Sequence, residues 1–166
     1  DEANGFSDHD RVLMAMQRAA FYAQGQYESV KAYVHGIAPG KPIHIGETGW
    51  SSTSVGFYGN NGSFAADEYK QAIYHNAMRE WTDAEGISCF YFEAFDEQWK
   101  DPNHPEGSEN HFGLITLDGK AKYGLWDLVD EGAFEGLTRG GNEITKTFEG
   151  DTTALLQTVS APKRRR

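Results

Sequence analysis

Two glutamates in this chain stand where a sheet would deliver side chains to a ligand. Glu47 closes the apolar run "PIHIGE", with Gly46 before it and Gly49 and Trp50 just after. Glu93 lies near the end of "ISCFYFEAF", a run that is almost entirely apolar and aromatic. A long polar loop comes after each of them. Those loops add Asp96, Glu97, Lys100, His104, Glu106, Glu109 and His111, together with the rings of Trp50, Phe57, Tyr58, Phe95 and Trp99. Carboxyl pairs do nucleophilic and acid/base work at an acetal carbon, and aromatic rings stack on the apolar faces of pyranoses. The residue types therefore suit a neutral sugar. At the carboxyl ends of parallel strands both glutamates are expected to face a pocket rather than solvent. Gly46 and Gly49 are expected to let the backbone turn sharply on either side of Glu47.

Plainer readings stand beside these. A lone glutamate at a strand end is often a solvated edge charge. Trp50 and Trp99 also read as loop anchors, and Lys100 as a solvated lysine. His44 reads as a core or supporting histidine, because no other His or Cys lies at metal-ligand spacing from it. His104, Glu106, Glu109 and His111 match no standard metal pattern, so neither metal nor cofactor is expected. There is no Gly-rich phosphate loop, and no G-x-S-x-G elbow to support serine hydrolysis.

The elements that must position the glutamates are legible. Val12, Met16, Ala19, Ala23, Tyr27, Val30, Val34 and Ile37 form one apolar stripe at helical period. Ser7 with Asp10 suits the start of that helix as a capping box, and Pro39-Gly40 its end. "KPIHIGE" predicts a short strand. Residues 64–86 predict a second helix with Tyr69, Ile73, Ala77 and Trp81 on one face. "ISCFYFEAF" predicts a second strand, buried on both faces as in a parallel sheet. "LITLDGKAKY" predicts an extended piece with an Asp118-Gly119 turn, and "YGLWDLVDEGAF" a short final helix. The order helix, strand, helix, strand, helix is α/β winding with right-handed crossovers. Residues 1–150 are expected to form the domain. Residues 151–166 are expected to be a flexible tail ending in the solvated Lys163–Arg166 run.

The 166 residues include 39% hydrophobic and 13% aromatic side chains, enough for a packed core. A net charge of −10 disfavours nucleic acid and anionic membrane as partners. The single cysteine, Cys89, excludes an internal disulfide and reads as a buried, inert thiol. No apolar run approaches the roughly 20 residues of a membrane span. The chain opens without an initiator methionine or a signal-peptide pattern, and that opening reads as the middle of something longer.

"PIHIGETGW", "FYFEAFDEQWK" and "SENHFGLITLDGKAKY", in that order and spacing, closely resemble the C-terminal part of glycoside hydrolase family 17. These are β-1,3-glucanases and related glucanosyltransferases that act on laminarin-type glucans. The resemblance covers roughly residues 1–150 and implies a retaining enzyme on a (β/α)8 barrel. Glu47 matches the nucleophile at the end of the seventh strand. Glu97 and Lys100 match the acid and lysine that line the cleft after the eighth strand, and Glu109 matches the cleft glutamate before N-H-F-G. Trp50, Phe92 and Trp99 are implied to shape glucose subsites, with Glu93 beside them as a substrate contact. Lys100 is expected to hold Glu47 ionised if the two approach within about 4–6 Å.

A retaining mechanism needs a second carboxyl about 5–5.5 Å from the first. The family carries it at the end of the fourth strand, and nothing in this chain matches that segment. The fold class expected is thus α/β, the C-terminal portion of a (β/α)8 barrel comprising about two βα units and the preceding helix. Three explanations stand open: a piece of an active enzyme, an assembly in which other chains or self-association complete the barrel, and a makeshift carboxyl pair. A non-catalytic β-glucan-binding module, a glucanosyltransferase remnant and a structural module are the alternatives to hydrolysis. A glucan substrate implies an extracellular or periplasmic location.

Overall fold

The computed structural model describes residues 5–163. Residues 1–4 and Arg164–Arg166, most of the terminal basic run, lie outside the described residues. Helix α1 (Asp8–Ile37) starts at Ser7, whose hydroxyl accepts from the Asp10 amide while the Asp10 carboxylate accepts from the Ser7 amide. This is the predicted capping box. Strand β1 (His44–Thr48) comes next, then helix α2 (Glu68–Glu85) and strand β2 (Ser88–Tyr91). The Asp67 side chain caps α2 by accepting from the Lys70 amide at 2.9 Å. Gly86, at φ +63°, ends it in the left-handed conformation that glycine adopts without penalty.

β1 and β2 pair in parallel, His44 opposite Ser88, Ile45 opposite Cys89 and Thr48 opposite Tyr91. Three steps on β1 match two on β2, so β1 carries a bulge at Gly46–Glu47. α1 and α2 pack around Val12, Met16, Ala20, Tyr74 and Met78, with the Tyr27 and Trp81 rings edge to face at 5.4 Å. A second core gathers Ile115, Ala121 and Leu125. It joins strand β3 (Lys120–Ala121) to helix α3 (Trp126–Asp130). Leading into β3 is the predicted turn, with the Gly119 amide donating to the Thr116 carbonyl.

Four expectations change. The α1 stripe is buried only in its first half; Val30 and Ile37 are exposed, as are Phe21, Tyr22 and Tyr33. β2 is not covered on both faces, since Phe90 is 69% exposed. α3 is not the final helix: the short strands β4 (Thr138–Arg139), β5 (Asn142–Glu143) and β6 (Thr145–Lys146) come after it, then helix α4 (Thr152–Gln157). Nor do residues 151–163 form a loose tail. Asp151 caps α4, Leu155 is fully buried, and Val159 and Ala161 pack on the main core. Beyond α4 the Ser160 carbonyl accepts from the buried Lys70 ammonium at 2.8 Å, and the Pro162 carbonyl accepts from Arg11 at 2.9 Å. These bonds satisfy polar groups that burial would otherwise penalise.

Candidate active site

The structure gathers Phe92, Glu93, Glu97, Trp99 and Lys100, sets Trp50 and Glu109 in one pocket, and places Glu47 in a separate groove. Glu47 sits on the β1 bulge and is exposed, so it does not face an enclosed pocket as expected. It borders an open groove of about 230 Å³ shared with Tyr27, Val30 and His44. The bulge shifts the register at this residue relative to β2. Gly49 matters for close approach rather than for a turn: a Cβ there would lie 1.9 Å from the Phe92 carbonyl oxygen, whereas Gly46 has open space around it. The two strand ends can meet only because residue 49 lacks a side chain.

Beyond β2 the chain forms a charge cluster. Lys100 Nζ lies 3.0 Å from a Glu93 oxygen and 2.9 Å from a Glu97 oxygen. It also sits 3.6 Å from the Phe92 ring centroid and 5.8 Å from that of Trp99, a cation over two aromatic faces. Lys100 therefore pairs with Glu93 and Glu97 and not with Glu47, which makes no ion pair among the described residues. Burial pushes the Glu93 carboxyl above its ordinary pKa; Lys100 opposes that shift and Glu97 adds to it. Hydrogen bonding from Lys100 holds Glu97 below the usual carboxylate range. Burial works to lower the Lys100 ammonium, but its bonds to Glu97 and Glu93 carry it above the ordinary value. The cluster thus holds one carboxyl raised and its neighbour lowered in pKa. One oxygen of Glu93 is buried without a hydrogen-bond partner.

Trp50 is half-buried, tilted against Tyr74 at 5.2 Å, and its indole N–H donates to the Ala65 carbonyl. Glu109 is exposed in a 3-10 turn, Ser108–Asn110, and shares a pocket with Trp50. Trp99 is 72% exposed. His44 is exposed rather than in the core, bonded to Ser88 and edge-on to Phe90. Cys89 is half-buried, and desolvation raises its thiol.

Several residues that sequence reasoning passed over hold this region together. The Gln71 side-chain amide, almost fully buried on α2, donates to the carbonyls of Trp50 (2.9 Å), Phe112 (3.1 Å) and Gly113 (3.1 Å). It therefore ties the loop after β1 to the segment that covers β2. Asn110, fully buried, donates to the carbonyls of Asp101 and His104 and accepts from the Asp101 amide, closing the loop that carries Glu97, Trp99 and Lys100. Lys122 donates to Asp96 at 2.7 Å and to Ser52 at 2.8 Å, again joining the two loops. Asp96 also lies 3.8 Å from His111 and raises its pKa. Gln71 shares a helical face with Tyr74 and Met78, at i, i+3 and i+7, and that spacing was the available signal.

Comparison with known proteins agrees with the motifs. The family model for the BtgE/BtgC glycoside hydrolase domain matches residues 3–113. The crystal structure of an endo-laminarinase from Formosa Hel1_33_131 is similar with a TM-score of 0.91 and 58% identity, covering 98% of this chain and 42% of that one. A β-1,3-glucanosyltransferase from Rhizomucor miehei, solved as an active-site mutant with laminaritriose, is similar with a TM-score of 0.52 and 30% identity over 66% of this chain and 36% of that one. A glucan 1,3-β-glucosidase from Arthroderma benhamiae is 39% identical over 88 residues, 49% of this chain and 27% of that protein. This chain thus spans about a quarter of the length of the curated relatives it matches. The chain belongs to the BtgE/BtgC glycoside hydrolase domain family and is akin to the β-1,3-glucanases of glycoside hydrolase family 17.

Proposed function

We propose that this chain carries the nucleophile side of a retaining β-1,3-glucan hydrolase, built as the last two βα units of a (β/α)8 barrel. The observation that carries the reading is the parallel pairing of β1 with β2, which sets an exposed Glu47, unpaired among the described residues, on one strand and the Glu93–Lys100–Glu97 cluster just beyond the end of the other. Glu47 attacks the anomeric carbon, and the glycosidic oxygen leaves with a proton from an acid outside this chain's two paired strands. The resulting glycosyl ester is then opened by water, or by a sugar hydroxyl in a transfer reaction, with the Glu47 carboxylate released again. Glu93, Glu97 and Glu109 hydrogen-bond sugar hydroxyls. Trp50, Phe92 and Trp99 supply ring faces, and Lys100 orders the two acids of its cluster. The exposed Phe90 and the outer half of α1 are covered by the rest of a barrel or by another copy. A glucan substrate places the protein outside the cell or in the periplasm.

A 2-deoxy-2-fluoro laminaribiosyl fluoride tests this directly, because fluoride leaves without a proton and the missing acid is bypassed. Intact mass should rise by one fluorinated disaccharide, the modified peptide should contain Glu47, and Glu47→Gln should stay unmodified. Label on Glu93 or Glu97 would reassign the nucleophile. Binding of laminaritriose without any label would make the chain a glucan-binding module. Neither label nor binding would overturn the reading.

A further inference from the structure

We propose that the pocket beside Trp50, walled by Phe57 and Tyr58 and closed by Lys163, is a further subsite for one β-1,3-linked glucosyl unit. The inference rests on the glycosidase reading above and extends the cleft to Phe57, Tyr58 and Lys163, which lie outside all three motifs. The pocket is about 490 Å³ and starts at Gly49, just past Glu47. Trp50, Phe57, Tyr58 and Phe112 give it a mostly apolar lining, with Glu109 and Lys163 as its charged groups. Those two charges balance, which favours a neutral ligand. Trp50 has spent its N–H on Ala65, so it meets a ligand through ring carbon. Aromatic walls with hydrogen-bonding groups at a few points describe what a pyranose needs.

One ring contact links the pocket lining to the charge cluster. Phe112 packs edge-on against Phe92 at 5.5 Å, and Phe92 carries the Lys100 ammonium on its face. Phe112 is therefore the lining ring through which the pocket touches the aromatic partner of the cluster. The wall is also built in advance. The Phe57 carbonyl accepts from the Ser63 amide at 2.8 Å, and the Tyr58 carbonyl accepts from the Ala66 amide at 2.8 Å. A Cβ on Gly59 would lie 1.3 Å from the Ser54 carbonyl oxygen, and one on Gly62 would lie 1.8 Å from that of Phe57, so this loop closes on itself only with glycine there. The strap after α4 holds it from outside: the Lys163 amide donates to the Ser63 carbonyl at 3.0 Å, and Lys163 Nζ lies 4.3 Å from the Phe64 ring centroid. A preformed wall binds without the cost of ordering a loop.

Calorimetric titration of laminaritriose and laminarihexaose against the wild-type chain, Tyr58→Ala and Tyr58→Phe tests the subsite. The hexaose should bind more tightly than the triose. Tyr58→Ala should cost the hexaose about tenfold, the worth of one stacked ring, while triose affinity stays within about twofold. Tyr58→Phe should keep the hexaose advantage. Phe57→Ala, which truncates a ring that is 70% exposed, repeats the test on the second wall with little risk to folding. An unchanged hexaose advantage in both alanine variants overturns the subsite, and so does equal loss for the two lengths or a wild type that binds both equally; in each case the glycosidase reading survives. A wild type that binds neither sugar sinks that reading, and the subsite with it.

Discussion

Glu47 and Glu93 stand at the ends of two strands paired in parallel, yet they live in different environments. Glu47 is exposed, unpaired among the described residues and displaced by a bulge. The Glu93 side chain is 12% exposed, bonded to Lys100, and pushed up in pKa by burial. The difference lies in the segment that leaves each strand. After β1 the chain tucks Gly49 under the Phe92 carbonyl and runs on to the Phe57–Tyr58 loop, leaving Glu47 uncovered. After β2 it folds back, the Leu114 amide donating to the Glu93 carbonyl, and the returning segment covers the Glu93 side. The same residue type, within β1 in one case and two residues past β2 in the other, thus becomes an exposed, unpaired carboxyl and a restrained charge partner. The covering segments set that difference in exposure and pairing.

The largest expected effect breaks that comparison at Glu47. Glu47→Gln should slow labelling by the fluoro-disaccharide by about 1,000-fold or more, while Glu93→Gln leaves labelling within a far smaller factor. Equal losses in the two variants, measured by time-resolved intact mass, would mean the ends are not specialised. Next comes the link between the two loops. Asp96→Asn strands the buried Lys122 ammonium and should destabilise the fold by about 3–5 kcal/mol in urea denaturation. A loss under about 1 kcal/mol would show that the loops do not depend on this pair.

Smaller is the contrast between two glycines. Gly49→Ala forces the strand ends apart and should cost about 1–3 kcal/mol, whereas Gly46→Ala should stay within about 0.5 kcal/mol. Equal melting temperatures for the two variants would contradict the close approach at Phe92. The smallest effect sharpens the electrostatics. Lys100 lowers both Glu93 and Glu97, so Lys100→Met should move both carboxyl titrations upward in carbon-detected NMR. If only the carboxyl of Glu47 moved, Lys100 would belong to the nucleophile after all.

Where a signal is local, the chain declared itself. Ser7 with Asp10 marked the start of α1 and Pro39-Gly40 its end, and the structure agrees with both. The apolar stripe from Val12 to Ile37 was real as a pattern but half-covered in fact. Periodicity identifies which face is apolar and carries nothing about whether a neighbour arrives. Phe90 repeats the lesson on β2. α4 went unread although Asp151 and Leu155 were in plain view, because six residues give too short a period to detect. Lys70, Gln71, Asn110 and Lys122 look like solvated side chains in a sequence. Gln71, Lys122 and in part Lys70 are buried by partners from distant parts of the chain, and Asn110 by the loop that folds around it.

By itself the sequence determined α1, β1, α2, β2 and α3, the placing of a glutamate near the end of each long strand, and the motifs that ally this chain with the β-1,3-glucanases. Capping, apolar period and motif spacing act between residues a few positions apart, so they survive in one dimension. Only the tertiary structure decided that Lys100 serves Glu93 and Glu97, that Glu47 is left exposed on a bulged strand, and that residues 158–163 form a strap beside the aromatic pocket. Those outcomes depend on which segments cover which side chains, and burial, pairing and pKa come from that covering rather than from residue type.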